Sequence, residues 1–216
     1  QHTITGWPGG KPDADDTYRP ERAKPYPKRV IVFSPHPDDD VISMGGTLKR
    51  LVDQHHDVHV AYETSGNIAV GDEDMFRYIM VNDLIAERYG LDTETYRQKS
   101  QEIKDFLATK KPGDIDIEDL RFLKGRIRRA EARTACNFMG VKPENVHHLD
   151  LPFYETGAIK KGDLEERDVK IVKDLIESVK PHEIFVAGDL ADPHGTHKVC
   201  TDAVFAAIDE LVAGKA

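Results

Sequence analysis

Short apolar runs alternate with longer amphipathic stretches along most of this 216-residue chain. β-Branched runs predict strands, and apolar residues spaced three or four positions apart predict helices between them. This pattern is typical of an α/β fold, in which helices cover a parallel sheet. The predicted strands are Val30–Ser34, Asp57–Glu63, Val146–Leu149 and Glu183–Ala187. The predicted helices are Gly46–Gln54, Met75–Tyr89, Thr95–Ala108, Ile117–Met139, Glu166–Val179 and His197–Leu211.

This order of elements predicts a Rossmann-like, mostly parallel sheet with helices on both faces, in a single domain over residues 29–216. Residues 1–28 contain a Gly-Gly pair and several prolines but no apolar periodicity, so we expect a linker or an extended arm there. No GxGxxG fingerprint follows the first predicted strand, which argues against a dinucleotide-dependent enzyme.

Composition and charge narrow the choice of partners. The formal net charge is -9 and the pI is about 5.6, whereas nucleic acids and anionic membranes bind basic surfaces. No apolar run approaches the roughly 20 residues of a membrane span. Cys136 and Cys200 fall in predicted helices and are expected to be buried free thiols, which favours the reducing cytoplasm. A small-molecule substrate is therefore the expected partner, and the sequence leaves the oligomeric state open.

Two clusters of metal-ligand residues follow predicted strands. The first is Pro35-His36-Pro37-Asp38-Asp39-Asp40, and the second is Asp192-Pro193-His194-Gly195-Thr196-His197. In open α/β sheets, ligands bind at the carboxyl ends of the strands, where the two clusters would converge. His36, Asp39 and His197 would give a three-ligand zinc site, and Asp38 could face the site as a base. The competing interpretation is that Asp39 or Asp40 only caps the following helix.

These motifs resemble the PIG-L/LmbE family of zinc-dependent N-deacetylases. The resemblance rests on His36-Pro37-Asp38-Asp39 with Gly45-Gly46-Thr47, and on Asp192-Pro193-His194-x-x-His197. Arg128-x-x-Glu131 is similar to the middle helix of that family. The start of the chain and Leu151-Pro152-Phe153-Tyr154 are similar to one half of fused bacterial proteins that carry the name glucosamine-6-phosphate deaminase. In those proteins a sugar-phosphate isomerase-like domain precedes this half, so we expect such an upstream domain.

The resemblance implies a role for each matched residue. His36, Asp39 and His197 would ligate Zn²⁺ or another divalent metal, Asp38 would be the general base, and His194 would donate to the developing oxyanion. The expected reaction is removal of an N-acetyl group from an amino sugar.

Further residues are candidates for substrate binding or support: Asp192, Arg128, Asn67 and Tyr154. Asn67 follows the second strand at the expected site rim, although a plain turn is the competing interpretation. One departure from the family pattern is Thr196, because many relatives have an aspartate before the last metal-binding histidine. Asp192 could replace that carboxylate.

Two other functions remain open at this point. The same metal site could hydrolyse a different bond, or the chain could be a non-catalytic metal- or sugar-binding module attached to an upstream enzyme. An intact Asp38 argues against a pure binding module, which has no need for a base beside a metal ligand.

Overall fold

The computed structural model describes residues 27–158, 160–188, 191 and 195–214. Strands and helices alternate, as the sequence predicts. The strands are β1 (Arg29–Ser34), β2 (Asp57–Tyr62), β3 (Val146–His148) and β4 (Glu183–Phe185). The α-helices are α1 (Asp39–Asp53), α2 (Asp72–Tyr89), α3 (Glu94–Thr109), α4 (Glu118–Met139), α5 (Glu166–Val179) and α6 (Thr196–Ala213). Short 3-10 helices span Asn67–Ala69 and Pro143–Asn145.

The strands form one parallel sheet. Across the described residues the order is β3-β2-β1-β4, with Val30 opposite Val58 on one side and opposite Glu183 on the other. Parallel strands place their carboxyl ends at the same edge, and ligands of such sheets bind at that edge. The predicted α/β class and parallel sheet are confirmed.

Apolar side chains of alternating strand positions pack on opposite faces of the sheet. Ile31, Phe33 and Ala61 join a core with residues of α5 and α6. Val30, Val32, Val58 and Val60 join a second core with Leu48 and Leu51 of α1 and with Ala132 and Cys136 of α4. Helices therefore cover both faces, which explains why the central strand β1 is apolar on both sides.

The chain divides into two units, each with its own apolar core. The first contains the residues up to Ser65, residues 129–156 and those from Lys161 onward, and it holds the sheet. The second contains Gly66–Arg128 and Gly157–Lys160. In the second unit, Met75 and Ile79 of α2 pack with Ile103 of α3 and Leu120 of α4.

The start of α1 corrects one prediction. A first helical turn begins earlier than predicted, at Asp39, but Met44 has a non-helical φ of -145° and ψ of 23°, so the longer helical segment beyond this kink begins at Gly45-Gly46 as expected. Asp39 and Asp40 lie in the first turn, where carboxylates interact favourably with the helix dipole. The metal-ligand motif therefore extends into the helix and is not confined to a loop before it.

Residues 1–26, which hold nearly all of the predicted linker, lie outside the described residues. Lys28 precedes β1, and its Nζ lies 2.9 Å from Glu183 Oε1. Cys136 and Cys200 are buried free thiols, as predicted. Within the described part of the chain, no helix has the length and apolar character required to cross a membrane.

Asp168 stabilises the start of α5. Its carboxylate is fully buried and accepts hydrogen bonds from the N–H groups of Phe153 and Glu165, both at 3.0 Å. Asp168→Ala is expected to lower the free energy of unfolding by about 1–3 kcal/mol, because a buried donor and the capping donor of α5 both lose their acceptor. Urea denaturation followed by circular dichroism measures this change. Asp174→Ala on the exposed face of α5 is the control, and its effect should stay below about 0.5 kcal/mol.

Candidate metal centre

The turn between β1 and α1 positions the first two candidate ligands. Ser34 Oγ donates to the carbonyl of His36 at 2.6 Å and accepts from the N–H of Asp40 at 3.0 Å. The N–H of Asp38 also donates to the His36 carbonyl, at 2.8 Å. These bonds fold the chain into a tight turn at the carboxyl end of β1, so that His36 and Asp39 lie together.

The third candidate ligand comes from the first turn of α6. Gly195 precedes this helix with a φ of 70°, a left-handed conformation that glycine adopts without strain. Thr201 Oγ1 donates to the carbonyl of Ala187 at 2.8 Å, which ties α6 to the segment after β4. His197 is thus held at the carboxyl edge of the sheet, 161 residues from His36 in sequence.

Three ligand atoms converge at this edge. His36 Nδ1 lies 3.2 Å from Asp39 Oδ2, and His197 Nε2 lies 3.2 Å from His36 Nδ1 and 3.3 Å from Asp39 Oδ2. No other described group of histidine, cysteine and acidic residues has the spacing of a metal site. The structure therefore brings together the three residues that the sequence indicates as ligands.

The size of this triangle fits a tetrahedral metal. Bonds of about 2.0–2.1 Å from zinc to its ligands give tetrahedral edges of roughly 3.3–3.4 Å. All three observed distances are close to that length. Two imidazole nitrogens and one carboxylate oxygen are also donor types that zinc accepts, and three protein ligands leave one position for water or substrate.

Asp38 is the N-cap residue of α1, but its side chain makes no capping hydrogen bond. Neither Asp39 nor Asp40 occupies the N-cap position, since both lie in the first helical turn. A purely capping role for the aspartate cluster is therefore wrong. Asp38 is partly buried and is next in sequence to the candidate ligand Asp39.

The electrostatic surroundings differ between Asp39 and Asp40. Burial alone would raise the pKa of Asp39, but hydrogen bonds from His36 and the charges of both histidines lower it below its usual value. Burial raises the pKa of Asp40, and the hydrogen bond from Tyr62 Oη, at 3.0 Å, only partly offsets this. Asp39 is thus kept ionised, as a metal ligand must be. Asp40 instead belongs to a buried hydrogen-bond network with Ser34 and Tyr62.

Glu63 is a residue that sequence reasoning missed. It follows β2 and is 2% exposed, so it is nearly as inaccessible as the apolar core. Burial raises its pKa to about 8, and the charge of Asp39 contributes to the increase. The alternation of β2 made Glu63 appear to be an ordinary polar position. An acid at the end of a buried parallel strand was the signal that could have identified it.

An aromatic and charged cluster adjoins the candidate ligands. The Tyr154 ring meets the His36 ring edge to face, with centroids 5.9 Å apart, and Lys161 Nζ lies 3.7 Å from the centre of the Tyr154 ring. Glu155 accepts hydrogen bonds from the N–H and Oγ of Ser65, each at 3.0 Å. Tyr154 is 4% exposed, which favours a supporting role over direct contact with a substrate.

The other predicted site residues have different positions. Asn67 is buried at the start of a 3-10 helix, and Arg128 is partly buried in α4; both belong to the second unit. Thr196 is buried at the start of α6. Asp192 and His194 lie outside the described residues, so the predictions for them stay predictions.

Comparisons with known proteins agree with this geometry. A family model described as "PIG-L: GlcNAc-PI de-N-acetylase" matches residues 31–208. That range contains all three candidate ligands and the whole sheet except the first two residues of β1. The predicted resemblance to this family is confirmed.

A relative in Bacteroides thetaiotaomicron is named a glucosamine-6-phosphate deaminase-like protein and is 64% identical over 210 residues. The match covers 97% of this chain and 32% of the relative, so the chain spans about a third of the relative's length. The relative is a longer protein, which fits the prediction that this kind of domain is fused to another.

Proposed function

This chain belongs to the PIG-L family, and on that premise we propose that it is a zinc-dependent hydrolase that removes the N-acetyl group of an amino sugar. The family match supports a deacetylase-type hydrolase of N-acetylated sugars. The observation that carries the zinc-dependent proposal is the triangle of His36, Asp39 and His197 beside Asp38.

The three converging side chains would hold the metal. Two neutral imidazoles and one carboxylate leave a coordination position open, which is the arrangement of catalytic rather than structural zinc sites. When bound, zinc would act as a Lewis acid for the amide carbonyl and would make water a better nucleophile at neutral pH.

Asp38 would transfer the proton. Hydrolysis adds water across the amide C–N bond and gives acetate and a primary amine. Asp38 takes the proton of the attacking water and returns it to the departing nitrogen, so one carboxylate serves first as base and then as acid. The prediction that His194 donates a hydrogen bond to the developing oxyanion is part of this proposal.

Tyr154 would orient the first ligand. Its ring packs against His36, and the ammonium of Lys161 lies over the ring. A metal-binding imidazole needs a fixed ring orientation to keep one nitrogen on the metal. The segment that carries Tyr154 and Glu155 is therefore proposed to support the site, and Lys161 brings a positive charge close to it.

Metal analysis combined with product analysis tests this proposal. Dialysed protein reloaded with Zn²⁺ is expected to hold one zinc ion per chain and to release acetate and amine in equal amounts. The substrates are N-acetylglucosamine and its 6-phosphate, with acetate followed by proton NMR. Phosphate release without acetate would indicate hydrolysis of another bond. Stoichiometric zinc with no product from either sugar would contradict the proposed deacetylase and favour the binding-module interpretation.

A further inference from the structure

Glu63 is a buried acid that the proposed reaction does not use. Among the residues that the structure describes, no hydrogen-bond donor reaches its Oε1. Burial raises the pKa of Glu63, and the charge of Asp39, which has the same sign, contributes to the increase. A buried acid beside another acid costs free energy unless a hydrogen bond or a cation compensates it. The position of Glu63 therefore needs a physical reason.

Backbone hydrogen bonds fix Glu63 next to the turn that carries the ligands. Its N–H donates to the carbonyl of Ser34 at 2.9 Å, and its carbonyl accepts from the N–H of Leu151 at 2.8 Å. The following residue, Thr64, donates to the carbonyl of Pro35 through both its N–H, at 3.1 Å, and its Oγ1, at 2.7 Å. Pro35 directly precedes the first candidate ligand.

Side-chain alternation places Glu63 on the face of the sheet that α6 covers. Tyr62 packs in the core with α1 and α4, whereas Ala61 packs in the core with α5 and α6. Successive side chains of a strand point to opposite faces, so Glu63 shares the face of Ala61. His197 comes to the site from α6, and the Glu63 carboxyl thus lies on the same side of the sheet as this ligand.

The charge of the three ligands leaves a divalent cation only partly neutralised. With both imidazoles neutral, Asp39 alone contributes one negative charge against two positive charges. Asp38 offers a second carboxylate, but the proposed reaction protonates it, so a further buried carboxylate would keep the charge balanced. A bound cation is also the largest local charge of such a site, so it interacts favourably with a neighbouring carboxylate.

On the basis of the proposed metal site, we propose that Glu63 is a positioning residue for the cation: its carboxylate lies beside Asp39, balances the charge of the bound metal and raises the affinity of the site for divalent cations. The cost of burying this acid in the metal-free protein is then recovered when the cation binds. This role predicts opposite effects of Glu63 on the metal-free and metal-bound forms.

Glu63→Gln separates this role from a purely structural one. The variant keeps the size of the side chain and removes its charge. Its affinity for Zn²⁺ and for Co²⁺, measured by competition with a chromophoric chelator, is expected to fall about 10–100-fold. The thermal midpoint of the metal-free variant is expected to equal or exceed that of the wild type. The control is Asp168→Ala, which also removes a buried acid and should lower the midpoint with unchanged metal affinity.

Three results would overturn the inference. Equal metal affinity in Glu63→Gln and wild type would remove the proposed role while the metal site itself stands. A lower midpoint of metal-free Glu63→Gln with unchanged affinity would make Glu63 a structural residue like Asp168. Absence of Zn²⁺ and Co²⁺ binding in the wild type would instead refute the metal site, and with it both this inference and the proposed function.

Discussion

Replacing Asp38 by asparagine is expected to lower deacetylase turnover about 10²–10⁴-fold while one zinc ion stays bound per chain. Asparagine has nearly the same shape as aspartate but cannot take a proton from water at neutral pH. The three candidate ligands, His36, Asp39 and His197, are untouched by this change. The measurement is kcat for acetate release together with zinc content by atomic absorption on the same sample.

The matched control for this variant is Asp53→Asn at the other end of α1. Asp53 is exposed and pairs with Lys49, so its replacement should leave both turnover and zinc content close to the wild-type values. If Asp38→Asn lost its zinc, Asp38 would be a ligand and the roles of the adjacent carboxylates would be exchanged. Unchanged turnover would mean that another group activates the water.

Replacing His197 by alanine is expected to abolish stoichiometric zinc and to reduce turnover below detection, while the sheet remains folded. The remaining pair, His36 and Asp39, supplies only two ligands, and catalytic zinc sites use three from the protein. His197 is partly buried in the first turn of α6, and the apolar residues that hold this helix lie further along it. Zinc content after dialysis measures the loss of metal, acetate release measures turnover, and far-UV circular dichroism checks that the variant is folded.

His182→Ala is the control for loss of a histidine. His182 lies before β4, at the amino end of the sheet, where its Nδ1 accepts from the N–H of Arg29 at 3.0 Å. This variant should keep full zinc and lose only a small amount of stability. Retention of one zinc ion in His197→Ala would contradict the ligand assignment, and unfolding of His197→Ala alone would show that the residue has a structural role.

The sequence by itself determined the class of fold and the residue types of the site. β1 is apolar on both sides because it is a central parallel strand, and that pattern is visible without a structure. The two ligand motifs were also predictable from their positions. The first directly follows β1, and the second comes a few residues after β4. The carboxyl ends of parallel strands share one edge, so two motifs far apart in the chain could be expected to meet.

The tertiary structure decided which side chains meet at that edge. The 3.2 Å separation of His36 Nδ1 and His197 Nε2 depends on packing of α6 against the sheet, which is a long-range effect. Burial of Glu63 likewise depends on the elements around β2, since alternation alone gives the same pattern for an exposed acid and a buried one. The helical turn that starts at Asp39 was missed because the kink at Met44 separates it from the longer segment that Gly45-Gly46 opens, and first-turn aspartates and tertiary contacts stabilise that turn. The local pattern of apolar residues determines whether a segment forms a helix or a strand. Only the packing of distant segments determines how deeply each side chain is buried and which charged groups surround it.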